Sequence, residues 1–344
     1  MDIKLGVGVD QIVPSKDLIR LVGLCEDLGY DQFWYANHKL YRDHYVGMTL
    51  AAVYSRTMEI GTFIAEPYSY HPGMIAAAIA TIDEICEGRA LLLLGAGVGF
   101  QNLGIQRTRP VTALRETIEI CRALFQGERV TYHGDLFTLK ESQLEFEPRA
   151  DLPIYMATRG DKMLEMSGEY ADGVMVATYA TPRGLQRGLE KVEAGCRKVN
   201  RSWKDIPILA RVDTCIHSDR QVARDAVRPM ISLLLMASYP DRKFVHGLGL
   251  EVPEALEEVC KEKNESLSIQ SGHLVTDDLV DAFSWTGTVE DVAEKVAEVV
   301  AMGIDYITYL PHPIQGEGPE RIMQQFARNV MPRVHALLGL PPRR

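Results

Sequence analysis

A chain of 344 residues, 46% hydrophobic and 24% charged, has the balance of a soluble globular protein and the length of an α/β barrel in one domain. Its formal net charge of −10 argues against nucleic acid or an anionic membrane as partner, because either selects a basic face. No apolar run approaches the roughly 20 residues that span a bilayer, and residues 1–5 run directly into a strand pattern, so a cytoplasmic protein is expected.

The six cysteines, at 25, 86, 121, 196, 215 and 260, form no C-x-x-C pair and fall mostly on apolar faces. Buried, reduced thiols are the expectation, rather than disulfides or zinc ligands.

In chain order, residues 3–9 form a first apolar strand, followed by Asp10 and Gln11. Ser15 is the expected cap of a helix whose Leu18, Leu21, Val22, Cys25 and Leu28 share one face, with Gly29 as its stop. Residues 32–35 are a second strand that breaks at Asn37 and His38; a polar segment, 39–45, then leads to a short apolar helix at 49–54.

Residues 58–99 set the pattern for the rest. A strand at 58–65 ends in Glu66-Pro67-Tyr68-Ser69-Tyr70-His71-Pro72, where two prolines forbid helix. Ile75, Ile79, Ile82 and Ile85 then mark the buried stripe of a helix. Ala90-Leu91-Leu92-Leu93-Leu94 is too continuously apolar for a strand with one wet face, so it belongs in a parallel sheet covered by helices. The result is a βαβ unit.

After Gly99 comes a polar loop, 100–110, then a helix marked by Leu114, Ile118, Cys121, Leu124 and Phe125. Residues 127–139 alternate around His133-Gly134-Asp135, which reads as an inserted hairpin. Further strands are expected at 153–157, 173–177, 206–216 and 305–310. Helices open at Thr158-Arg159-Gly160-Asp161, at Thr181-Pro182, at a Ser218–Gln221 capping box and at a Thr288–Asp291 box; the last covers 319–338. Residues 240–285 break the rhythm and read as a partly helical insertion covering one end of the core.

Eight strands, nearly all followed by a helix, predict an α/β fold, a (β/α)8 TIM barrel spanning 1–344 as one domain with insertions after strands four and seven. An open doubly wound sheet is the alternative. In a barrel the functional residues lie at the C-terminal ends of strands. Those ends offer Asn37 and His38; Phe63, Ile64, Ala65, Glu66 and Tyr68; the turn Gly95-Ala96-Gly97-Val98-Gly99; Thr158, Arg159 and Gly160; Thr178 and Tyr179; and Pro311 and His312.

Each has a plain structural reading beside the functional one. His38 can cap its loop, Glu66 can be a surface residue, Tyr68 and Tyr70 can anchor loops, and His312 can fix a turn between two prolines. The glycine turn lacks the helix that a dinucleotide fingerprint requires directly after it. Thr158-Arg159-Gly160 joins a helix start to an arginine, a natural anion site, or else a cap with an exposed arginine. No H-E-x-x-H, phosphate loop or G-x-S-x-G elbow occurs, so no metal is expected and hydrolase chemistry has little support. Strand ends poor in acids and rich in apolar, tyrosine and amide groups suit a flat redox-active ring.

The run HPGMIAAAIATIDEICEGRALLLLGAG, with LGIQRTRPVTALRETIEICRAL, PIYMATRGDKMLEMSGEYADGV and GTVEDVAEKV, resembles the bacterial luciferase-like flavin oxidoreductase family, most closely its methylenetetrahydromethanopterin reductase-like, deazaflavin-dependent branch. The resemblance implies a (β/α)8 barrel, usually a homodimer, binding coenzyme F420 or FMN at the strand C-termini. It implies hydride transfer, or oxygen activation by reduced flavin as in a monooxygenase, on a small organic substrate. A cis peptide is implied at Phe63–Ile64 behind the ring, with Ala65 and the Gly95 and Gly97 turn beside it, a phosphate site at Ala157, Thr158, Arg159 and Gly160, and His38 near the reacting edge. Asn37 stands where the branch often has an aspartate, and Val98 where an acid is common. A proton donor would therefore come from His38, Tyr68 or Glu66, with Asn37 as a hydrogen-bonding group, or else the reaction needs no such acid. Two other readings are a non-catalytic, flavin-binding homodimer and a nicotinamide-dependent dehydrogenase using the glycine turn.

Overall fold

The computed structural model describes residues 2–342. Its strands are β1 (Lys4–Val9), β2 (Gln32–Ala36), β3 (Glu59–Phe63), β4 (Ala90–Leu94), β5 (Val130–His133), β6 (Thr138–Ser142), β7 (Ile154–Thr158), β8 (Gly173–Ala177), β9 (Ile208–Ile216), β10 (Ser284–Gly287) and β11 (Tyr306–Pro311). Nine of them form one sheet in the order β10-β9-β11-β1-β2-β3-β4-β7-β8, with β9 also paired to β8. That closed order is the topology of a (β/α)8 barrel, with β10 as an additional strand. β5 and β6 stand apart as an antiparallel hairpin.

The chain packs as two compact units: Gly8–Met175 with Lys191–Ile208, and the described parts of Met1–Val7, Val176–Glu190 and Leu209–Arg344. In the first, β2, β3, β4 and β7 pair in parallel, and all five residues of β4 are buried, as a strand covered on both faces requires. The helix Pro72–Ile85 crosses from β3 to β4 with a proline in its first turn and the His71 ring accepting from the Gly73 N–H. Its stripe is Ile75, Ile79 and Ile82, and continues to buried Cys86. Ile85, expected inside, is 39% exposed because it lies one residue off that spacing.

Two other expectations in this unit are corrected. Pro14, not Ser15, occupies the cap position of the helix Ser15–Asp27, and no side chain caps it. The helix expected at 49–54 runs His44–Tyr54, because Asp43 caps it by accepting from the Val46 N–H. The hairpin turn rests on buried Glu116, whose carboxylate accepts from the backbone N–H groups of Asp135, Leu136 and Phe137 at 2.7, 3.0 and 3.0 Å.

In the second unit, β1 and β9 flank β11 in parallel, and β10 pairs along the last residues of β9. The helix Arg220–Ser238 is capped by Asp219, which accepts from the Gln221 and Val222 N–H groups; the expected Ser218–Gln221 box does not form. The irregular stretch after it holds short helices, among them Glu254–Lys261 and Asp277–Phe283, and ends in β10. There Trp285 is fully buried and its indole N–H donates to the Ala180 carbonyl at 3.0 Å. The Thr288–Asp291 capping box is present at the start of Val289–Ala301. The final helix loosens to a π turn at Phe326–Val330, just before Pro332, whose ring has no N–H for a carbonyl four residues back.

Candidate active site

The first unit brings the ends of β2, β3, β4 and β7 together. The Phe63–Ile64 peptide bond is cis. The residue directly after β2 holds the carbonyls of both residues that this bond joins: the Asn37 backbone N–H donates to Phe63 O at 3.1 Å, and its side-chain Nδ2 donates to Ile64 O at 3.0 Å. Next along the sheet, the Gly95 N–H donates to Ala65 O at 3.0 Å. A Cβ at Gly95 would lie 2.3 Å from Ile64 Cδ1 and 3.2 Å from Ala157 O, so only glycine admits this approach. Gly97 has φ +65°, and a Cβ there would meet the Phe100 ring at 2.7 Å. Phe63, Ile64, Ala96, Gly97 and Val98 remain half-exposed, which leaves an apolar shelf with a peptide edge.

Beneath the shelf lies a buried ion pair. Glu66 is 1% exposed, not a surface residue. Its Oε1 accepts from Lys39 Nζ at 2.6 Å and from the Ser69 hydroxyl; its Oε2 accepts from the Tyr68 and Ser69 N–H groups at 2.7 and 3.1 Å. Lys39 Nζ also lies 3.4 Å from Asn37 Oδ1 and 5.2 Å from the centre of the Phe100 ring. With both oxygens engaged, Glu66 braces the turn after β3.

Tyr68 donates its hydroxyl to Thr108 O at 3.0 Å and meets Phe100 edge-on at 5.4 Å, tying the loop after β4 to the loop after β3. Burial pushes its phenol up to about 12, against the opposing charge of Arg107. Tyr70 donates to Asp43 at 2.8 Å. At neutral pH both phenols are protonated donors.

His38 leaves β2 with its backbone N–H donating to Gln11 Oε1. Its Nε2 lies 3.4 Å from Asp10 Oδ2, and its ring lies 5.5 Å from Tyr41. The imidazole thus has a carboxylate neighbour and partial solvent access. On β7, the Gly160 N–H donates to Thr158 Oγ1 at 3.3 Å. Gly160 opens the helix Asp161–Tyr170 with no side-chain cap, so the first N–H groups of that helix are directed at whatever lies beyond it. Arg159 stands half-exposed beside them. Among the described residues, no group of three His, Cys, Asp or Glu could hold a metal ion.

Thr178, Tyr179, Pro311 and His312 belong to the other unit. Tyr179 is fully buried, and Thr178 has φ +74°, unusual for a β-branched residue.

Residues 3–306 match the family described as luciferase-like monooxygenase. The chain belongs to this family. Among its luciferase-like relatives, a 5,10-methylenetetrahydromethanopterin reductase of Archaeoglobus fulgidus is 31% identical over 96% of this chain and 99% of its own. One from Methanolobus tindarius is 30% identical over 86% and 91%. The solved structure of the coenzyme F420 dependent tetrahydromethanopterin reductase from Methanopyrus kandleri superposes with a TM-score of 0.84 at 25% identity, covering 97% of this chain and 100% of that one.

Asp10, Lys39 and Phe100, which contact these residues, do not stand out in the sequence. Asp10 directly follows β1, so the strand-end rule does point to it. Lys39 reads as one more charge in a polar segment, and its burial against Glu66 depends on how the two loops meet.

Proposed function

We propose that the protein is a coenzyme F420-dependent oxidoreductase transferring hydride to or from a small organic substrate. The relatives' names put 5,10-methylenetetrahydromethanopterin first among substrates to test. The observation that carries this reading is the half-exposed shelf at Phe63 and Ile64, whose carbonyls Asn37 fixes and against which Gly95 packs without a side chain.

The residues present fit a flat ring with an anionic tail. The shelf supplies an apolar face. Thr158, Arg159 and Gly160, at an uncapped helix start, supply donors for a phosphate. Coenzyme F420, when bound, supplies the hydride chemistry; FMN shares the flat ring and phosphate and is the alternative occupant. The chain's own part is to bind and orient. His38, beside Asp10, is the group in this unit placed to hold or release a proton. Tyr68 and Glu66 act as positioning residues, because their polar atoms are engaged in tying loops.

The same reading includes a homodimer in the cytoplasm. The helix His44–Tyr54 exposes Val46, Val53 and Tyr54, and Met74 is 62% exposed on the helix Pro72–Ile85, which packs against it. Such a run of apolar surface is suited to a second copy of the chain. All six cysteines are free and buried, as suits a reducing compartment, and no described helix is long and apolar enough to cross a membrane.

Titrating the purified protein with coenzyme F420 and with FMN tests the assignment. Micromolar or tighter F420 binding, with hydride transfer to 5,10-methylenetetrahydromethanopterin, is expected; failure to bind either cofactor refutes the reading.

A further inference from the structure

The three residues after β2 part company. Successive side chains of an extended segment point to opposite sides, and here His38 turns to Asp10 while Asn37 and Lys39 turn to the chain after β3. Asn37 and Lys39 also meet each other, with Lys39 Nζ 3.4 Å from Asn37 Oδ1. All of these residues lie within the Gly8–Met175 unit.

A lysine carries three donor protons and no acceptor. Three acceptors surround this one. Glu66 Oε1 lies at 2.6 Å, Asn37 Oδ1 at 3.4 Å and the centre of the Phe100 ring at 5.2 Å. The Lys39 side chain is 8% exposed and that of Glu66 1%, so protein groups rather than water must satisfy them. Glu66 cannot swing away, because its Oε2 holds the Tyr68 and Ser69 N–H groups at 2.7 and 3.1 Å and its Oε1 holds the Ser69 hydroxyl. The lysine nitrogen is thus fixed from the β3 side, where it joins the loops after β2, β3 and β4. An ion pair serving stability alone needs only Glu66.

The contact with Asn37 has a further effect. Half a turn of a side-chain amide exchanges its oxygen and its nitrogen in nearly the same space. In the observed orientation Nδ2 donates to Ile64 O at 3.0 Å. Turned over, the amide would set oxygen against oxygen at Ile64 and its own donors against those of Lys39. A group that only donates, held at Oδ1, therefore selects one orientation. We infer that Lys39 is a positioning residue for the shelf: it fixes the Asn37 amide so that Nδ2 grips the Ile64 carbonyl before any ligand arrives. The inference rests on the oxidoreductase reading for the identity of that ligand, coenzyme F420, and adds to it that the shelf is preorganised.

The test uses the full chain labelled with ¹⁵N-asparagine and free of cofactor, with the Asn37 side-chain signals assigned by their loss in Asn37→Ala. One Nδ2 proton should exchange with water about tenfold or more slowly than those of exposed Asn102 and Asn200, and Lys39→Met should remove that protection. Coenzyme F420 is then titrated into each variant. Asn37→Ala, Lys39→Met and the two combined should all bind about tenfold more weakly than the wild type. A lysine that acts through Asn37 has nothing left to position once Asn37 is gone, so the losses do not multiply. An unprotected Asn37 amide in the wild type, an amide equally protected in Lys39→Met, or losses that multiply to about a hundredfold in the combined variant would each overturn the inference. Lys39→Met/Glu66→Gln, which strands no carboxylate, replaces Lys39→Met throughout if the single variant does not fold. A wild type that binds no coenzyme F420 refutes the oxidoreductase reading, while the exchange rates still decide whether Lys39 fixes the amide.

Discussion

Asn37 donates its side-chain amide to the carbonyl of Ile64 at 3.0 Å, and its own N–H to the carbonyl of Phe63. The residue directly after β2 thus fixes both carbonyls of the cis dipeptide at the end of β3. An aspartate, which lacks a side-chain donor, cannot do this. Asn37→Asp and Asn37→Ala should each weaken coenzyme F420 binding by about tenfold, the worth of one good hydrogen bond. A fluorescence titration that shows unchanged affinity in both variants would free the shelf from Asn37.

The Lys39–Glu66 pair makes a stability prediction. Both side chains are nearly inaccessible. Lys39→Met strands a buried carboxylate and should cost about 3–5 kcal/mol. Adding Glu66→Gln to it removes the stranded charge and should restore part of the loss. Urea unfolding midpoints of the two variants check the order; a double variant no more stable than the single one would contradict it.

Glu26 sets an acid limb. Burial by itself raises its carboxyl, but the Thr57 N–H, the Ser55 hydroxyl and the Arg56 N–H outweigh that and bring it from 4.5 to about 2. A folded-state value below the unfolded one means the stabilisation is complete above about 4.5 and is lost as pH falls toward 2. The shift corresponds to about 3 kcal/mol. Stability of the wild type should therefore fall more steeply between pH 4.5 and 2 than that of Glu26→Gln, measured by urea unfolding across that range.

Gly97→Ala should fail in two ways. The residue has φ +65°, where a Cβ costs about 1–2 kcal/mol, and the added carbon would press on the Phe100 ring. Lower thermal stability together with weaker cofactor binding is expected. A fall in stability with unchanged affinity would separate the turn from the cofactor.

The exposed face of the helix His44–Tyr54 predicts assembly. Val53→Lys should turn a dimer into a monomer in sedimentation, since a lysine there would be buried without a partner. A wild type that sediments as a monomer would rule out the homodimer.

Much of this was legible in the chain. Runs such as Ala90–Leu94 announce strands covered on both faces, and the Thr288–Asp291 box marks a helix start by local chemistry alone. Four residues read from strand ends, Asn37, Phe63, Ile64 and Gly95, do meet at one place. The failures have a common cause. Glu66 looks like a surface acid because its burial depends on Lys39, 27 residues away in sequence, arriving from another loop. Asp213 lies inside a strand rather than at its end, so a rule about strand ends passes over it. β10 escaped because Ser-Trp-Thr-Gly is too short to show a period.

The sequence by itself determined the alternation of strands and helices, because local periodicity and caps suffice for that; the pairing of β9 with β8 decided for a closed barrel over an open sheet. It also determined which residues stand at strand ends. Only the tertiary structure decided what those residues do to one another: that Asn37 grips the Phe63 and Ile64 carbonyls, that Glu66 is braced rather than free, and that His312 meets buried Asp213. Hydrogen bonds and ion pairs join groups far apart in the chain, and their partners are fixed by the packing of the strands that carry them.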